Sequence, residues 1–93
     1  DEVIIYRGTS KDEYGAKKFG QSWSINKKVA YEFAFVHYKN QPNYMNTNRV
    51  LLKAKIKKEF IYYFDKNGRE KEAIIDSSKL LASTLEIIEE KNL

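Results

Sequence analysis

Val50-Leu51-Leu52-Lys53-Ala54-Lys55-Ile56-Lys57 is the stretch that decides the fold class. Leu52, Ala54 and Ile56 fall on one side of an extended chain, and Lys53, Lys55 and Lys57 fall on the other. A period of two with one apolar and one charged face predicts a half-exposed antiparallel strand. The lysine side reads as a solvated face that blocks edge pairing. Downstream, residues 60–64 are aromatic and extended, and Asp65-Lys66-Asn67-Gly68 carries the Asn-Gly turn signal. Residues 72–75 return as a strand. Residues 77–83 read equally as a turn or a short helix, and 85–88 read as a last strand in preference to a terminal helix.

Upstream, Val3, Ile4, Ile5 and Tyr6 form a β-branched and aromatic run that Gly8, Thr9 and Ser10 close off. Ser10 and Glu13 have capping-box spacing, predicting a helical turn that ends near Gly15. Residues 21–25 form a short strand. Asn26 caps a helix over 27–38 whose apolar stripe is Val29, Ala30, Phe33, Ala34 and Val36. Residues 39–48, rich in Asn and holding the only proline, are a long loop of the kind that often serves function. Six strands, one main helix and two helical turns, with the strands clustered late, predict an α+β domain.

Ninety-three residues make one small domain over 1–93. The absence of cysteine excludes disulfide frameworks, thiolate zinc sites and cysteine nucleophiles, and fits a cytoplasmic setting. The chain opens at Asp1 with no signal pattern, and the missing initiator methionine suggests processing or a trimmed sequence that lacks upstream residues. Apolar runs fall short of the ~20 residues of a membrane span. A net charge of +4 favours an anionic ligand or partner without naming one.

Three short pieces carry chemistry: Tyr6-Arg7-Gly8, Ser22-Trp23-Ser24 and Glu70-Lys71-Glu72. Arginine is a permanently charged planar fork suited to a diphosphate. Gly8 beside it lets backbone approach a ligand. A carboxylate stabilises the oxocarbenium-like charge that builds when a glycosidic bond breaks, and a serine hydroxyl holds that carboxylate in place. Alternation puts Glu70 and Glu72 on one side of an extended segment.

In order and strand context these pieces resemble the arginine–serine–glutamate branch of the mono-ADP-ribosyltransferases. The resemblance implies two small antiparallel sheets around a cleft with one main helix, and NAD as substrate. It implies Arg7 and Gly8 at the dinucleotide, Ser22 orienting the catalytic Glu72, Ser24 beside it, and Glu70 guiding an arginine acceptor. It places residues 39–48 over phosphate and nicotinamide, with Tyr44 stacking on the nicotinamide ring.

Other readings stay open. Arg7 can pair with Glu13 or Asp12, Ser22 and Ser24 can start a strand and help cap a helix, and Glu70 and Glu72 can be turn-flanking charges. His37 reads as a packed or surface histidine with no metal cluster around it. Trp23 reads as core, and Tyr31, Tyr62 and Tyr63 as sheet and helix packing. The short, Lys- and Asn-rich chain also suits a phage or mobile-element protein that keeps the fold without catalysis and inhibits a host system by binding protein. The lysine ladder leaves a basic nucleic-acid module as the remote third reading.

Overall fold

The computed structural model describes residues 1–36, 48–65 and 71–91. Its strands are β1 (Glu2–Ser10), β2 (Ser22–Ser24), β3 (Arg49–Lys57), β4 (Ile61–Phe64), β5 (Glu72–Ile75) and β6 (Glu86–Lys91). Its helices are α1 (Lys11–Ala16) and α2 (Lys27–Phe35), and single 3₁₀ turns occupy Lys58–Phe60, Ser77–Lys79 and Ala82–Thr84. All six strands join one antiparallel sheet in the order β4-β5-β2-β1-β3-β6.

The fold is therefore α+β, but the expected two sheets are one. The join is narrow: β1 and β2 share a single pairing, Tyr6 opposite Ser24. By contrast β1 pairs with β3 over nine residues, from Glu2 opposite Lys57 to Ser10 opposite Arg49. This long ladder explains why β1 runs straight through Gly8 to Ser10 rather than stopping at Tyr6. Arg7 thus sits inside a strand, not at its end.

Alternation along β1 and β3 builds two cores on opposite sheet faces. One gathers Ile5, Trp23, Leu52, Ala54, Ile56 and Ile75, with Tyr14 and Phe19 packed against it. The other lies under α2 and gathers Ala30, Ala34, Phe35 and Leu51. β3 is buried on both faces at Val50, Leu51 and Leu52, and alternates only from Lys53 onward. Because β3 is flanked by β1 and β6, its lysines guard no edge, which corrects that expectation; Lys53 Nζ instead faces Glu86 at 3.8 Å.

The caps follow the sequence. Ser10 Oγ accepts from the Glu13 N–H at 3.2 Å, and Asn26 Oδ1 accepts from the Val29 N–H at 3.1 Å. α2 ends at Phe35, short of the expected boundary. Its buried stripe is Ala30, Ala34 and Phe35, while Phe33 and Val36 turn outward at 38% and 44% exposure. Arg49 explains part of that end: its buried guanidinium donates to the Ala34 and Phe33 carbonyls at 2.9 and 3.1 Å, satisfying the last turn of α2. Tyr31 packs edge-to-face on Phe35. Tyr62 and Tyr63, expected to pack, are 66% and 55% exposed because they lie on the edge strand β4. His37, Tyr44, Glu70 and the 66–68 turn lie outside the described residues. Among the described residues no helix is long and apolar enough to cross a membrane.

Candidate functional site

The site forms where the β1–β2 ladder gives out. One pairing beyond Tyr6 and Ser24, a cleft of about 140 Å³ opens. Arg7, Ser22 and Glu72 all line it, together with Gly8, Trp23 and Ser24; Tyr6 and Phe33 supply its aromatic wall. Three residues far apart in the chain therefore reach one cavity.

Register accounts for the Ser22–Glu72 contact. Ser24 lies opposite Glu72 and Ser22 opposite Ile74, so Ser22 is the diagonal neighbour of Glu72 on the same face. Ser22 Oγ donates to Glu72 Oε2 at 2.5 Å, in the range of a charge-assisted O–H···O⁻ bond. Glu72 opens β5 directly after Lys71, whose φ of 47° is left-handed. That conformation ends the extended alternation at Glu72, so a period of two does not carry back past Lys71.

Arg7 is already partnered. Its Nε and Nη2 donate to Glu13 Oε2 and Oε1 at 2.8 and 2.9 Å, and Nη1 donates to the Ser22 carbonyl at 2.6 Å. The pair is half-buried, with side-chain exposures of 20% and 21%. Burial pushes the Glu13 carboxyl up, but the hydrogen bonds and charge of Arg7, helped by Thr9 and the Gly20 backbone, outweigh it and hold the group below the ordinary range. The pairing of Arg7 with Glu13 that the sequence left open is thus what the fold adopts.

Gly8 also differs from expectation. A Cβ built there would stand 2.3 Å from the Ala30 carbonyl oxygen and the Ala34 nitrogen. The backbone that approaches Gly8 is that of α2, so its first task is helix seating. Ser24 Oγ accepts from the Asn26 N–H at 3.0 Å and donates to the Lys71 carbonyl at 3.4 Å, tying the β2–α2 turn to the start of β5. Trp23 is core at 2% exposure, and its indole donates to the Gly20 carbonyl at 3.0 Å.

Two contributors escaped the sequence reading. Phe33 was assigned to the helix stripe, yet it lines the cleft; helical spacing gives a face but not its rotation about the axis. Glu13 appeared as a capping-box residue and as one of two candidate partners of Arg7, not as part of the site. Among the described residues no group of three or more His, Asp or Glu is placed to hold a metal ion. No family model matches the chain, and neither the curated proteins nor the solved structures hold a significant match.

Proposed function

We propose that this protein binds NAD and breaks its nicotinamide–ribose bond, passing ADP-ribose to a protein side chain, arginine by preference, or to water. The observation that carries this reading is the 2.5 Å bond from Ser22 Oγ to the Glu72 carboxylate inside a cleft that also holds Arg7. A carboxylate with a fixed orientation is the group that an oxocarbenium-like transition state needs, because its stabilisation requires no reorganisation as charge develops.

In this mechanism the bond between ribose C1′ and the nicotinamide nitrogen breaks, and its electron pair leaves with neutral nicotinamide. Glu72 bonds the ribose hydroxyls and opposes the positive charge on the sugar. An acceptor nitrogen or a water then attacks C1′ and gives up a proton. A cleft of about 140 Å³ is smaller than the usual ~300–1,000 Å³ of ligand pockets, so it takes the nicotinamide–ribose end alone. Phe33 offers the flat apolar surface for that ring. Arg7, reaching the gap between β1 and β2 from the opposite sheet face, offers the diphosphate the N–H groups that Glu13 and the Ser22 carbonyl leave over, and Glu70 guides the acceptor.

Glu72→Gln keeps the size of the side chain and removes its charge. Turnover of labelled NAD, read as nicotinamide released and protein labelled, is expected to fall at least about a hundredfold with the melting temperature within a few degrees of wild type. Unchanged turnover in that variant would refute the assignment. A second reading, a non-catalytic binder that keeps this fold to inhibit a host protein, draws support from the three bonds that already occupy Arg7. Titration calorimetry separates them: millimolar NAD gives no heat with the binder.

A further inference from the structure

We infer that Glu13, held on the sheet face opposite Glu72, is a positioning residue for the cleft: by fastening Arg7 to the Ser22 carbonyl it fixes the hydroxyl that orients the Glu72 carboxylate. The inference rests on the NAD-cleaving reading for its catalytic consequence, but its structural part stands by itself.

β2 is only three residues long, and its two sides are supported unequally. Toward β5 it is paired at all three positions, and the Ile75 N–H adds a bond to the Gln21 carbonyl at 3.0 Å. Toward β1 it is paired only at Ser24. At Ser22 the partner strand supplies no backbone donor, and Arg7 Nη1 takes that place at 2.6 Å. A lone arginine has several rotatable bonds and would hold this post loosely. Glu13 removes that freedom by accepting two parallel bonds in the fork geometry that a guanidinium and a carboxylate share. Gly20 completes the fit, since a Cβ there would come within 2.8 Å of Arg7 Nη2. The same segment is gripped from its other side by the Trp23 indole on the Gly20 carbonyl. The result is an unbroken chain of bonds from α1 through the sheet: Glu13, Arg7, Ser22, Glu72.

Glu13 itself does not line the cleft, so removing it should alter the reacting carboxylate more than the affinity for NAD. In Glu13→Ala we expect kcat to fall about tenfold or more while KM for NAD moves less than about threefold. Glu13→Gln, which keeps an acceptor for Arg7, restores much of the loss, and Asp12→Ala in the same first turn of α1 changes nothing. Adding Ser22→Ala to Glu13→Ala costs little further, since both act on one bond. A rise in KM at unchanged kcat, or strictly multiplicative losses in the double variant, overturns the inference.

Hydrogen exchange of the indole N–H of Trp23, the only tryptophan, needs no turnover. It should speed up about tenfold or more in Glu13→Ala while the Leu52 amide stays protected. Unchanged indole exchange overturns the brace even in an active enzyme. Faster exchange in a protein that never cleaves NAD upholds the brace and places the failure with the function.

Discussion

Gly8→Ala adds one methyl group where the sheet and α2 are closest. The new Cβ would lie 2.3 Å from two backbone atoms of the helix and 2.7 Å from the Ala34 Cα, although non-bonded Cβ contacts essentially never fall under 3.0 Å. Backbone cannot swing aside as a side-chain tip can, so α2 must lift by the better part of an ångström. A gap of that size forfeits roughly a quarter to a half of the dispersion contact across it. The contact at risk is the buried surface of Ala30, Ala34 and Phe35. At about 1.5–3 kcal/mol for a buried aromatic side chain and ~0.8 per methyl, the loss comes to about 1–2 kcal/mol. Residual strain raises this to about 2–3 kcal/mol, within the usual range for overpacking. A domain of this length holds roughly 5–14 kcal/mol in total. The melting temperature should drop by ~10–25 °C in thermal unfolding followed by circular dichroism. Gly15→Ala is the matched control: a Cβ there meets nothing within 4 Å, and its place in α1 favours alanine by about 0.5–1 kcal/mol, so that variant should gain a few degrees. If Gly8→Ala melts within about 3 °C of wild type, α2 does not rest on Gly8 and the seating argument fails.

Two further outcomes follow from buried charge. Arg49→Met strips both donors from the Phe33 and Ala34 carbonyls while keeping much of the volume, and should cost about 3 kcal/mol in urea unfolding; a cost under ~0.5 would show that the C-terminal turn of α2 does not depend on it. The acid limb of stability should report Glu13. Its folded carboxyl titrates below the ordinary value of 4.5, so its contribution is fully present above that pH and is lost as pH falls through the lower folded value. The stability gap between wild type and Glu13→Gln should hold steady from neutral pH down to about 5 and then close; a gap that widens in acid would contradict the sign.

Much of the architecture was legible along the chain. Ser10 and Asn26 capped their helices as their side chains demand, and β3 formed as an antiparallel strand that alternates from Lys53 to Lys57. These are local choices, set by one residue and its neighbours within a turn or a pleat. Sheet number was not legible, because one pairing between Tyr6 and Ser24 is enough to join two half-sheets, and no local signal marks it. The approach of α2 to Gly8 was not legible for a related reason: a missing Cβ shows that something comes close, not what.

Composition, caps and alternation thus determined by themselves that this is an α+β protein with Ser22 and Glu72 on strands. Only the tertiary structure decided that those strands lie side by side in the register that puts the hydroxyl diagonal to the carboxylate. It alone chose Glu13 as the anion on Arg7. Pairing register and ion-pair choice are set by contacts between segments tens of residues apart, whose free energy exists only once the chain has closed the loops between them.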